Sequence, residues 1–306
     1  MPWAQGLRRF AVVWSIEQLE TAMTEVSIAK DGPVAERQDS DGNSHGRSRE
    51  VNGATLYYED RGAGAPLLLI HGGLTSSAMW EQLLPSLIDG FRVITPDSRG
   101  HGRSTNPSGE LSYAQLADDV AALIAALGLV RPVVVGYSDG GQVALELGAR
   151  HPDAAGALIV GAAYPEFAAT GIRAVNKAFL GADDTGIPNV AQLDSNLGDF
   201  ADLMKARHPG GDEQWRTLVG QSASMWLDYE GLTPDAVRGI EAPTLVFTGD
   251  RDEMYPLDLM VSLYRTLSNA ELAVCPHANH FAPVAERGGI FACMIRDFAG
   301  RHGNVR

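Results

Sequence analysis

Cysteine is nearly absent: Cys275 and Cys293 are the only two in 306 residues. They cannot make a disulfide framework, and their spacing fits no metal-ligand pattern. Both lie in apolar runs, where a free cysteine behaves as a small buried hydrophobe, and this usage fits a reducing, cytoplasmic setting. Long apolar stretches are missing too, since nothing approaches the roughly 20 residues needed to cross a bilayer as a helix. Arg8 and Arg9 precede the short apolar run from Phe10 to Trp14, but Glu17 and Glu20 interrupt it. No small-residue cleavage site follows, so a secretory leader is not expected. Cations are scarce: 24 Lys and Arg face 38 Asp and Glu, a formal net charge of −14. A field of that sign repels phosphate backbones and anionic membrane surfaces, so neither nucleic acid nor membrane is an expected partner.

What is present suffices for one large core, or a core with a smaller insertion: 45% of residues are hydrophobic and 20% are charged. Residues 1–48 read as an appendage. A short amphipathic piece from Phe10 to Met23 leads into an Asp-, Ser-, Gly-, Asn- and Arg-rich stretch that buries too little apolar surface to offset its ordering entropy. A mobile tail is expected there. From Val51 the pattern changes. A strand or hairpin arm runs to Asp60 and ends in the turn Arg61-Gly62-Ala63-Gly64. Short continuous apolar runs follow at 66–70, 91–95, 132–135, 157–160, 243–247 and 270–274, the pattern of parallel strands buried on both faces. Helical stretches alternate with them. The clearest runs from Ser112 to Leu127, with a capping-box pair, Ser112 and Gln115, at its start and Gly128 beyond its end.

Alternation of this kind predicts an α/β fold with a mostly parallel central sheet flanked by helices. It lapses between Tyr164 and about Ile240, where two amphipathic helices are expected instead. Leu193, Leu197, Phe200 and Met204 share one face, and Trp215, Leu218, Val219, Ser222 and Trp226 share another. The division is therefore a core of 49–163 and 241–306 with a helical cap, 164–240, inserted after the sixth strand.

Chemistry concentrates in Val133-Val134-Val135-Gly136-Tyr137-Ser138-Asp139-Gly140-Gly141. G-x-S-x-G stands directly after a buried strand and before a helix, the context a nucleophile elbow requires. A serine hydroxyl needs a base to take its proton. Two later loops supply candidates: Gly249-Asp250-Arg251-Asp252-Glu253 offers acids, and His277-Ala278-Asn279-His280-Phe281 offers bases. Both loops leave the carboxyl edge of the sheet, as the elbow does. His277 and His280 lack a third ligand of suitable spacing, so no metal or other cofactor is expected.

With these motifs the chain resembles the α/β-hydrolase family over roughly Val51 to Phe298, the cap matching least. The resemblance implies Ser138 as nucleophile. The family's glycine, two residues, then acid maps onto Gly249 and Asp252, and its histidine before an aromatic maps onto His280-Phe281; Asp250, Glu253 and His277 are the competitors. Ile70-His71-Gly72-Gly73 resembles the family's H-G-x loop, so the backbone amides of Gly73 and Asp139 are implied as the oxyanion hole. His71 would prop that loop, and Asp97-Ser98-Arg99-Gly100-His101-Gly102-Arg103-Ser104, which matches D-x-R-G-x-G-x-S, would buttress the elbow without a catalytic part.

A serine rather than an aspartate at the elbow suits acyl transfer and not attack on epoxides or C–halogen bonds. A small-molecule ester, thioester, lactone or activated amide is the expected substrate. Serine is also used by haloperoxidase-like perhydrolases and by C–C bond hydrolases, and Gly-Tyr-Ser-Asp-Gly-Gly looks most like the biphenyl-hydrolase-like and valacyclovir-hydrolase-like members. Tyr137, Asp139 and Trp226 are candidates for contact with substrate; Trp80 and Met225 are candidates, with Tyr137 and Trp226, for lining an acyl pocket, although aromatic residues at helical spacing are more often core. The Asp139 carboxylate has two readings: interaction with the positive end of the following helix, or pairing with a cationic substrate group such as an α-amino group.

Overall fold

The computed structural model describes residues 46–167, 170–285 and 287–303. Its centre is an eight-stranded sheet in the order β1-β2-β4-β3-β5-β6-β7-β8. The strands are β1 (Gly46–Val51), β2 (Ala54–Gly62), β3 (Ala65–Ile70), β4 (Phe91–Pro96), β5 (Val133–Tyr137), β6 (Ala157–Gly161), β7 (Thr244–Gly249) and β8 (Ala270–Cys275). β1 and β2 form an antiparallel hairpin and β2 runs antiparallel to β4; every other pairing is parallel. Every residue of β5, β6 and β7 is buried, which is why these strands read as unbroken apolar runs.

Two boundaries differ from the sequence reading. The expected tail ends sooner: Gly46, Arg47 and Ser48 already belong to β1, and Asn52-Gly53 makes the two-residue turn into β2 with positive φ at both positions. The rest of the expected tail lies outside the described residues. The single helical face drawn from Leu193 to Met204 is split in two at Gly198, whose backbone (φ 56°, ψ −134°) cannot continue a helix.

The helices are α1 (Leu84–Leu87), α2 (Tyr113–Ala126), α3 (Asp139–Arg150), α4 (Ile172–Phe179), α5 (Val190–Leu197), α6 (Asp199–Lys205), α7 (Gly211–Asp228), α8 (Pro234–Arg238), α9 (Leu257–Thr266) and α10 (Gly288–His302). α2 starts as its sequence announces, with the Ser112 hydroxyl accepting from the Gln115 amide at 3.1 Å. α3 packs on β3, β5 and β6, and α10 on β5 and β6. Five helices, α4 to α8, occupy the described residues between β6 and β7, where the cap was expected. None of the described helices is long and apolar enough to cross a membrane. Of the two cysteines, Cys275 is buried as expected, but Cys293 on α10 is exposed: that helix turns only one face to the sheet.

Strand order positions the site. β3 and β5 are neighbours although β4 separates them in sequence, so the direction of winding reverses between them. A crevice opens outside the carboxyl ends of the strands at such a reversal. The loop after β3 and the elbow after β5 meet there.

Candidate active site

Ser138 sits between β5 and α3 with φ 56° and ψ −121°, a backbone that a residue bearing a Cβ adopts only under constraint. The constraint is packing: a Cβ built on Gly136 would lie 1.9 Å from the Gly140 carbonyl oxygen, and one on Gly140 would lie 2.1 Å from that of Ile70. Strand, turn and helix are pressed together until only hydrogen fits. The Ser138 amide is tied to the Gly161 carbonyl at 2.8 Å, so its hydroxyl is what the turn presents.

His280 Nε2 lies 3.0 Å from Ser138 Oγ, and Nδ1 lies 3.0 and 3.2 Å from the two carboxylate oxygens of Asp252. A carboxylate only accepts, so Nδ1 carries the proton and Nε2 is left to accept from the serine. Asp252 is itself fixed by the amides of Met254 and Tyr255, at 3.0 and 2.8 Å. Burial pulls the His280 imidazole down, but the charge of Asp252 and its hydrogen bond, with Glu253 and Asp139 beyond, outweigh it and leave its pKa raised.

The competing residues are placed elsewhere. Asp250 is exposed and accepts from the Ala278 amide at 3.1 Å. Glu253 is buried, which raises its pKa with help from the Asp252 charge; it reaches the His280 amide at 3.4 Å rather than the ring. His277 is exposed and takes the left-handed turn (φ 54°) that brings the chain back to His280.

Asp139, the first residue of α3, stands where the helix-end reading put it, and its side chain does more than that reading asks. One carboxylate oxygen accepts from the Tyr113 hydroxyl and the other from the Trp226 indole, both at 2.8 Å. Burial raises this carboxyl to about 6 against the pull of those two hydrogen bonds. Gly73 faces it across the cavity floor. The first amide of a helix has no carbonyl within the helix to bond, so the Asp139 N–H is of the kind that can serve an anion.

A cavity of about 40 Å³ lies over Ser138. Its core side is Gly73, Leu74, Asp139, Met254, Tyr255, His280 and Phe281; the helices between β6 and β7 close it with Asn176, Phe179, Leu197, Met204 and Trp226. Trp226 is therefore a lining residue. Tyr137 is a correction: as the last residue of β5 it points into the protein, is 1% exposed, and donates from its hydroxyl to the His280 carbonyl at 2.9 Å. It props the histidine and never reaches the cavity. Trp80 is wholly buried against Phe291, and Met225 faces an outer cleft instead. Asn176 was not anticipated. It lies on α4, a short helix that the search for amphipathic periodicity passed over, and its burial at 4% exposure marks it out only once the fold is in hand.

Support for the site is polar and tightly bonded. His71 Nε2 accepts from the Ser98 amide at 2.9 Å while Nδ1 meets the Gly72 carbonyl at 2.7 Å, so the ring is fixed as one neutral tautomer, with burial lowering its pKa to about 4. Asp97 accepts from the amides of Ser77 and Arg103, at 2.8 and 2.9 Å, and Arg99 forks onto buried Asp119 at 2.7 and 2.8 Å. This loop bonds to His71 and Ser77 of the segment after β3 and to Asp119 of α2 rather than to the elbow itself, and none of its residues is among those lining the cavity.

The family model described as "Alpha/beta hydrolase family" matches residues 67–292. A 2-hydroxymuconate semialdehyde hydrolase of a Pseudomonas species is 30% identical, the match covering 83% of this chain and 93% of that protein. A non-heme haloperoxidase of Rhodococcus erythropolis is 33% identical over 75% of this chain and 90% of its own length. Among solved structures, a thermophilic esterase from Thermogutta terrifontis superposes with a TM-score of 0.67 at 25% identity, covering 83% of this chain and 97% of the other. The chain belongs to the alpha/beta hydrolase family and is an enzyme of the hydrolase class. Its relatives include C–C bond hydrolases, haloperoxidases and esterases.

Proposed function

We propose that the chain hydrolyses carboxylic esters of small molecules through an acyl-enzyme on Ser138, and that the acyl group it prefers is short and free of negative charge. The observation that carries the reading is the continuous row Asp252–His280–Ser138, with 3.0 Å at each link. In this reading the Ser138 oxygen attacks the ester carbonyl as His280 Nε2 takes its proton, and Asp252 stabilises the imidazolium that forms. The amides of Gly73 and Asp139 receive the oxyanion. Collapse of the tetrahedral adduct breaks the ester C–O bond, and His280 returns the proton to the leaving alcohol. Water, activated by the same histidine, then releases the acid and restores Ser138.

The cavity supports both limits on the acyl group. Its volume of about 40 Å³ suits an acetyl-sized group. No lysine or arginine is among the described residues that line it, while Asp139 is. A substrate with its own carboxylate, as the muconate in one relative's name denotes, would meet a like charge at short range with nothing to pair it. That favours ester hydrolysis over C–C cleavage of acidic dienes. A complete hydrogen-bonded set likewise favours an enzyme over a binding member of the fold. We read residues 164–240 as the cap of a core made of 46–163 and 241–306, and the free, exposed thiol of Cys293 favours the cytoplasm.

Fluorophosphonate labelling, present in the native protein and absent in Ser138→Ala, tests the nucleophile. A turnover panel tests the substrate: p-nitrophenyl acetate is expected to exceed its hemisuccinate counterpart by about tenfold or more in kcat/KM, a gap that narrows in Asp139→Asn. A dienoate cleaved faster than any ester would replace this reading with C–C hydrolysis. Peracid formed faster than acid, on adding hydrogen peroxide, would replace it with perhydrolysis.

A further inference from the structure

Beyond the wall of the small cavity lies an open cleft of about 940 Å³. Neighbours on α7 face opposite ways, Met225 into the cleft and Trp226 into the cavity. Tyr113, at the start of α2, lines the cleft, yet its hydroxyl reaches through to Asp139, which lines the cavity. The same carboxylate holds the Trp226 indole. Asp139 thus ties a core residue to a residue of the α4–α8 insert across the partition, and both ties are single hydrogen bonds from neutral donors. The indole is also seated hard against the loop after β3. A Cβ built on Gly73 would lie 2.6 Å from Trp226 Cζ2 and 2.5 Å from an Asp139 carboxylate oxygen.

We infer that Trp226, pinned by Asp139, is the residue that sets acyl-chain length. With its N–H bonded to Asp139, the indole closes the cavity at acetyl size. Released, it swings from Gly73 and joins the cavity to the cleft, which takes the remainder of a longer chain. The inference rests on the reading of Ser138 as the acylated nucleophile. It adds a specificity determinant held in place by a residue whose own amide faces the reacting carbonyl.

The test compares labelling rates of the native protein, Trp226→Phe and Tyr113→Phe with two fluorophosphonates, one carrying an ethyl and one a decyl chain. Trp226→Phe keeps an aromatic ring and removes the N–H. It is expected to lower the ethyl-to-decyl rate ratio by about tenfold or more, and Tyr113→Phe to lower it in the same direction by less. Equal melting temperatures would show that the change is not general loosening. In ¹⁵N-indole spectra the Trp226 resonance, assigned by its loss in Trp226→Phe, is expected to exchange with solvent faster in Asp139→Asn, because an amide offers one acceptor oxygen where the carboxylate offers two. An unchanged rate ratio in folded, labelled Trp226→Phe overturns the length assignment and leaves the nucleophile standing. Failure of both probes to label the native protein overturns the nucleophile and the length assignment together.

Discussion

Two buried carboxylates mark two regions with opposite work. Asp119, beneath the Asp97–Ser104 loop, is 2% exposed and is matched by a guanidinium that forks onto both its oxygens, with the Asn52 amide as a third donor. Asp139, beside Ser138, is 8% exposed and among the described residues is held by a phenol and an indole. The first charge is cancelled where it stands; the second is held without a cation, and burial raises its pKa to about 6. Charge left uncompensated in a wall destabilises the fold, so its place next to Ser138, the proposed nucleophile, is where function is to be sought. The loop carries structure and the cavity carries chemistry.

The sharpest way to break this contrast is to remove one group from each side. Ser138→Ala is expected to lose about 10⁴-fold or more in turnover with its melting transition nearly unmoved, since members of such a set act as a unit. Arg99→Met is expected to do the reverse: it strands the Asp119 charge and lowers stability by about 3–5 kcal/mol in denaturant titration, while activity per folded molecule persists. A stable Arg99→Met protein without activity would move the buttress into the catalytic machinery.

Within the cavity region, Asp252→Asn is expected to cost far more turnover than Asp250→Asn, whose side chain only ties down the Ala278 amide. The pH profile sharpens it. His280 must be neutral to accept a proton, and its pKa is raised, so kcat/KM in the native protein should rise with pH through an inflection above the ordinary imidazole value of about 6.5. Without the Asp252 charge burial prevails, and the residual activity of Asp252→Asn should inflect below that value. An unmoved inflection would mean that Asp252 does not act on His280.

The smallest effect lies at Asp139. Its folded pKa is raised above an unfolded value of about 3.9, so its protonation favours the folded state fully below about pH 4. That contribution is lost as pH rises through about 6. The melting temperature of Asp139→Asn, relative to the native protein, should therefore climb by a few degrees between pH 4 and pH 7. A constant difference across that range would show that the carboxyl titrates normally.

How much of this was legible beforehand depended on the range of the interactions. The elbow is a local object: strand, glycines and serine lie within a few residues, and steric necessity ties each to the next. The acid and base loops were legible because each follows its own buried strand. Tyr137 was misplaced because G-x-S-x-G fixes the position of the residue before serine but not the direction of its side chain, and the last residue of β5 faces inward. The hold of Tyr113 and Trp226 on Asp139 could not be read at all, since they stand 26 and 87 positions away in the chain. The insert was the least legible part. Its helices answer to a surface that exists only after the sheet has formed, so Gly198 looked like one residue within a helix and Asn176 like nothing in particular.

The twisted backbone at Ser138 has a consequence for anyone evolving this protein in the laboratory. A side chain there holds the chain in a conformation that glycine adopts freely, a strain on the order of 1–3 kcal/mol. Selection for heat resistance alone would therefore be rewarded for substituting glycine at 138, and its hardiest variant would lack the proposed nucleophile. Stability and activity pull one codon in opposite directions, and any screen must count product as well as survivors.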